Sequence, residues 1–226
     1  MTMTLTMKTV IAGSCAAVAL ACAIGSCTSE DQDLMAYQGY GNDHYYGPDG
    51  AFDAEAAKAA YYEMMEHFGY PIPERLRGED FWTLDFALGQ FTEAGMAGIF
   101  WMNNQEHDYM GHEIYLLPGQ MIPEHWHLAT ANGRAKVEGW HLRHGSVTLY
   151  SEGEPSPTAE LDIPPLHRDI AVARSATVLK PGEYGMLAKP EEKHWMIAGP
   201  EGAIVSEYAS FHDMDGLRFT HPDIKL

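Results

Sequence analysis

The chain has 226 residues, 11% of them aromatic, and a formal net charge of −18, with 32 acidic against 14 basic side chains. That balance argues against nucleic acid or an anionic membrane surface as partner, because phosphates are bound through clustered Lys and Arg. A small neutral ligand fits better, and the length suffices for one core and one domain of catalytic size, a single β-barrel included.

In chain order, residues 9–26 read TVIAGSCAAVALACAIGS, an apolar run of small residues behind the single charge of Lys8. It is too short and too weakly hydrophobic for a membrane span, and residues 1–27 read as an export signal. Cys15, Cys22 and Cys27 all fall here. The stretch IGSC before TSEDQD resembles a bacterial lipoprotein cleavage box with Cys27 lipidated, Cys22 being the competing position. The expectation is an envelope protein that touches a membrane only through that lipid, or a cytoplasmic one if the segment is a buried first helix. No cysteine pair remains downstream to form a disulfide.

Residues 28–50, rich in Gly, Tyr and acidic side chains without either regular period, read as a tether or surface arm. The domain proper is expected over 51–226. FDAEAAKAAYYEMMEHFG predicts one helix, capped by Asp53, with Glu55 in its first turn and Gly69 as its stop. PIPERLRG reads as a turn, and GEDFWTLDF as a further short helical turn. From about 95 to 215 the pattern becomes β: AGIFWMNN, HEIYLLPG, MIPEHWHL, AKVEGWHLRHG, SVTLYSEG, SATVLKPGEYGML, KHWMIAG and GAIVSEYAS, divided by Gly and Pro. That spacing predicts a sandwich or closed barrel, several strands being buried on both faces.

Within these strands lies the candidate chemistry. In a strand, side chains alternate between faces, so His125 and His127 of MIPEHWH project to one side and can touch a common atom. Glu138 begins a strand in which Lys136 shares its face, and His194 follows a Pro turn in KPEEKHW. Three imidazoles and one carboxylate make a mixed N/O metal site for Mn²⁺, the first choice, or Zn²⁺, Fe²⁺, Co²⁺ or Ni²⁺. In AIVSEYAS, Glu207 shares a face with Ala203, Val205 and Ala209, which leaves its carboxylate desolvated unless paired and suited to proton transfer.

The order Gly119, His125, His127, Glu138, Gly145, followed by Gly182, Pro190 and His194, resembles the paired motifs of the cupin superfamily. ATANGR is an extra insertion between the second His and the Glu. The resemblance implies a mainly β cupin barrel, a double-stranded β-helix or jelly-roll, with an N-terminal helical segment. Over residues 95–215 the chain is similar more closely to the D-lyxose isomerase family. Lys136 stands two before the metal-binding Glu, Pro190 four before His194, and Glu207 where that family has a catalytic acid/base. The resemblance implies a metal-dependent aldose–ketose isomerase that works by cis-enediolate proton transfer, with Glu207 moving the proton, Lys136 assisting at the oxygens, and a homodimer as assembly. Two other readings stay open, a cupin non-heme iron oxygenase on the same ligands and a non-catalytic sugar-binding lipoprotein. A phosphosugar substrate would draw on Arg134, Lys136 and Arg143.

Other features take plainer readings. His141 and His144 read as surface or supporting residues. His112 and Glu113 mimic the start of a zinc-protease motif, which fails for want of a second His. Trp126, Trp140, Trp195 and Phe100 read as wall or core before sugar platform.

Overall fold

The computed structural model describes residue 37, residues 39–157 and residues 163–226. The expected export signal, with all three cysteines, lies outside them. Among the described residues no helix is long and apolar enough to cross a membrane.

Helix α1 spans Ala54–His67 and starts where the sequence places it: the Asp53 side chain accepts the N–H groups of Glu55 and Ala56, satisfying donors that have no partner inside the helix. Gly69, at φ 62°, takes the left-handed conformation that ends it. Ala57, Ala60, Tyr61, Met64 and Met65 are buried on one stripe and pack against Phe81, Phe91, Ile99 and Tyr115. The described part of the expected tether is docked on the same cluster: Tyr45 is fully buried, and the Tyr37 hydroxyl donates to the carbonyl of Ala60 at 3.0 Å.

Among the described residues the strands are β1 (Trp82–Leu84), β2 (Met96–Asn104), β3 (Tyr109–Leu116), β4 (Met121–His127), β5 (Glu138–Ser151), β6 (Ser175–Leu179), β7 (Tyr184–Met186), β8 (His194–Ala209) and β9 (Leu217–Phe219). All pairings between them are antiparallel, in the order β1-β2-β3-β8-β4-β9, with β5 joining β8 to β6 and β7. This curled sheet is the cupin-type half-barrel, with its helix N-terminal. The helical turn expected in GEDFWTLDF is corrected. Trp82, Thr83 and Leu84 are a strand against Gly98, Ala97 and Met96, as suits a Trp and a β-branched Thr on a half-buried edge. A 3-10 turn falls earlier, at Glu74–Arg77.

Alternation along β3 makes two cores. Ile114 and Leu116 enter the barrel interior, whereas Tyr115 and Leu117 meet the helix layer, so both faces are buried as the strand pattern predicts.

Two pairs of runs that read as separate strands are each continuous. β5 passes through Gly145 at φ 75° and β8 through Gly202 at φ 80°. A Cβ on Gly145 would collide with the carbonyl of Gly202, so the two strands bend together where only glycine fits. Glu138 pairs with Ala209 and Ser151 with His194; a flat β5 would hold those ends about 40 Å apart. The bend folds them back onto one another.

The loop around His167 and Ala173 braces β4. Oε2 of Glu124 accepts the N–H groups of Val172 and Ala173 at 2.8 and 2.6 Å, and the N–H of Glu124 donates to Nε2 of His167 at 2.7 Å. His167 is fully buried, and burial, reinforced by His221, pushes its pKa down to about 4. The unfolded chain therefore takes up a proton below about pH 6.5 that the folded chain refuses until about pH 4. Stability is full above that window and falls as pH drops through it, by about 3 kcal/mol from this residue. His167→Gln keeps an acceptor and removes the titration. Urea unfolding at pH 7 and pH 4.5 is expected to show a smaller loss in the variant than in the wild type.

Candidate active site

One cavity of about 250 Å³ opens inside the barrel, at the small end for a ligand pocket. His125 and His127 reach its wall from β4, Glu138 from the start of β5, and Lys136 from two residues before that strand. Glu207 comes from the distal half of β8. His194 opens β8, paired directly with His125. The insertion at 129–134 leaves Glu138 in place: it forms a side loop tied down by Thr130 and Asn132 to Asp213.

The four residues meet. Donor atoms of His125, His127, Glu138 and His194 all lie within 4.8 Å of one another. Oε1 of Glu138 is 3.3 Å from Nε2 of His127 and 2.9 Å from Nε2 of His194. Two ligands at right angles, each about 2.1 Å from one cation, stand about 3 Å apart. Nδ1 of His125 donates to the carbonyl of Pro123, and Nδ1 of His194 to that of Glu192, both at 2.8 Å. Each ring thereby keeps its proton on Nδ1 and turns the Nε2 lone pair inward, the tautomer a metal requires. Both ring nitrogens of His127, Nε2 of His194 and Oε1 of Glu138 are buried without a hydrogen-bond partner among the described residues. Orphaned acceptors converging on one point are costly unless a cation satisfies them, so this donor set fits a divalent metal.

Protonation supports the fit. Burial holds His125 well below the ordinary histidine pKa, with His194 and His127 adding to it, and burial likewise lowers His127. Burial alone would raise Glu138, but Lys136, His194 and His127 overcome it and keep the carboxyl well below its usual range. Burial opposes a charge on His194, but Glu138 outweighs it and raises its pKa, so two neutral imidazoles and an ionised carboxylate stand ready and a metal would displace the proton that His194 favours.

Beside the donors runs a second chain of contacts. Nζ of Lys136 donates to Oε2 of Glu138 at 2.6 Å and also to Oε1 of Glu207. All three side chains are buried. Burial opposes the charge on Lys136, but its two carboxylates outweigh it and raise its pKa, so it stays an ammonium. On the far side of Glu207, Oε2 lies 2.9 Å from Nδ1 of His112.

His112 and His212 are the residues the sequence reading left out. His112 sits on the inward face of β3. His212 follows β8, clamped by Asn103, whose side chain receives its N–H and donates to its carbonyl, both at 2.9 Å. Burial, with Lys136 and His127 nearby, pushes His212 down to about 2, leaving a neutral ring on the cavity wall. Trp140 and Phe100 also line the cavity. Trp195 is core, stacked on Tyr150 at 3.8 Å, and Trp126 lies under the ammonium of Lys193 at 4.6 Å. His144 packs on Phe68 and Tyr70. Among the described residues no arginine lines the cavity, and Arg134 pairs with Asp108 outside it.

No family model matches the chain. A D-lyxose ketol-isomerase of Cohnella laeviribosi is 36% identical over 141 residues, 62% of this chain and 76% of that protein. A D-lyxose/D-mannose isomerase of Thermosediminibacter oceani is 35% identical over 147 residues, 65% of this chain and 80% of that protein. Among solved structures, L-ribose isomerase of Cellulomonas parahominis superposes with a TM-score of 0.61 at 13% identity, covering 80% of this chain and 95% of that one. The L-ribose complex of the Acinetobacter sp. DL28 enzyme gives 0.62 at 13% identity, with the same coverage. The structural likeness carries the fold.

Proposed function

The chain belongs to the D-lyxose ketol-isomerase family, and on that premise we propose that it is a metal-dependent aldose–ketose isomerase acting on a small free sugar such as D-lyxose or D-mannose. The observation that carries this reading is the adjacency of two sets of groups. Four convergent metal donors, of His125, His127, Glu138 and His194, stand beside a buried Lys136–Glu207 pair, and all of these residues except His194 line one cavity.

His125, His127, Glu138 and His194 would hold a divalent cation, Mn²⁺ in first place, which supplies electrophilic pull on the sugar's oxygens and so acidifies the adjoining C–H bond. Glu207 takes the proton from C2 of the open-chain aldose. The C2–H electron pair becomes the C1–C2 double bond, and the carbonyl pair moves to O1, giving the cis-enediolate. Glu207 then returns its proton to C1 while the C2 carbonyl forms and the O2 proton passes to O1. Lys136, donating two of its three N–H bonds to Glu138 and Glu207, has one left for a substrate oxygen. The apolar wall, with Met96, Ile114, Ile122 and Met196 among its residues, excludes water, which strengthens each of these contacts.

The test is a panel of aldoses, D-lyxose and D-mannose among them, offered to protein stripped of divalent ions and then restored with Mn²⁺. Ketose is expected only after restoration. Sugar binding without turnover in the metal-replete protein would favour a binding module, and oxygen uptake with Fe²⁺ would favour an oxygenase, a reading that leaves Lys136 and Glu207 without work.

A further inference from the structure

We propose that His112 is a positioning residue for the isomerase step, fixing the plane in which the Glu207 carboxylate meets the sugar; this assignment rests on the isomerase reading. β3 and β8 set His112 directly opposite Glu207, and directly opposed side chains on one face are within reach of each other. The contact is a single hydrogen bond, Nδ1 to Oε2 at 2.9 Å, between two buried groups.

The ring is packed among aromatic neighbours. Phe100 stacks on it at 4.4 Å and 14°, and Trp82 lies 5.5 Å away at 20°, itself 6.0 Å from Phe100. Gly98 provides the room, since a Cβ there would collide with both Nε2 of His112 and the indole of Trp82. Nε2 is buried and finds no partner among the described residues. Packing against these two aromatic rings would be served better by a phenyl group, which buries no orphaned nitrogen. What imidazole adds here is the Nδ1–H bond to Glu207.

That bond complements the one from Lys136. A donor on Oε1 alone leaves the carboxylate free to rotate about its last bond. A second donor on Oε2 fixes its plane and leaves the outer lone pairs facing the cavity. Glu207 must serve two adjacent carbons in turn, a task with little tolerance for misplacement, and an error near 1 Å costs about 10²-fold in rate.

The experiment compares His112→Phe, which keeps the stack and removes the donor, with His112→Asn, whose side-chain amide can present an N–H near the position of Nδ1–H. The Phe variant is expected to lose about 10²-fold in kcat with KM and bound metal unchanged, and the Asn variant to recover most of that loss. Long-range ¹H–¹⁵N spectra of the wild type without added metal are expected to show His112 as the Nδ1–H tautomer, its signals assigned by their absence from the Asn variant. Wild-type kcat in the Phe variant, equal losses in both variants, or an Nε2–H tautomer would each overturn the proposal. Absence of ketose formation by the wild type would instead overturn the isomerase reading, while the spectrum still reports on the His112–Glu207 bond.

Discussion

Glu207→Gln is expected to lower kcat by about 10³-fold, inside the range that removal of a positioned acid–base group produces, with KM and metal content near wild type. Glutamine matches glutamate in size and can still accept one hydrogen bond from Lys136 or His112, so the cavity keeps its shape. What it cannot do is carry a proton between two carbons. Glu207 is also separate from the four donors, being tied to them only through Lys136, and metal binding should survive the change. Steady-state kinetics alongside metal analysis of the same sample check both halves. Activity within tenfold of wild type would send the base elsewhere in the cavity, and loss of metal together with activity would make Glu207 a structural support.

The second large effect concerns stability. Lys136→Met removes the one ammonium shared by two buried carboxylates, Glu138 and Glu207. Breaking a buried pair from one side costs about 3–5 kcal/mol, because the partner remains buried and charged. Urea unfolding of the metal-free protein should report a loss of that order. Lys136→Met combined with Glu207→Gln should recover part of it, since one of the two stranded charges is then gone. A variant as stable as wild type would mean that water or rearrangement already screens the pair. Turnover should fall with stability, but unfolding is the cleaner measurement, because it isolates the ion cluster from the chemistry.

What was legible in the sequence was whatever is governed by a short period or a local cap. Asp53 and Gly69 bound the helix because capping and left-handed conformations belong to those residues. The strand alternation that aims His125 and His127 one way holds in the structure, and Ala203 and Val205 correctly mark the inward face on which Glu207 stands. Distance along the chain hid the rest. No second histidine follows His112 at protease spacing, and its partner is 95 residues away across a β3–β8 pairing that no local pattern announces. The available signal was its share in the face of Ile114 and Leu116. Gly145 and Gly202 read as strand ends because they break the alternation, whereas the backbone passes through both and bends.

That shared bend also bears on how the protein folds. Glu138 and His194 sit at opposite ends of the longest strand pairing and become neighbours only when the two halves of the sheet have closed. An opened or partly folded chain keeps its histidine pair on β4 but has no complete nest for an ion. Anything bound by all four side chains therefore recognises the closed form alone and shifts the unfolding equilibrium by mass action. Its affinity becomes a gauge of closure, readable without substrate.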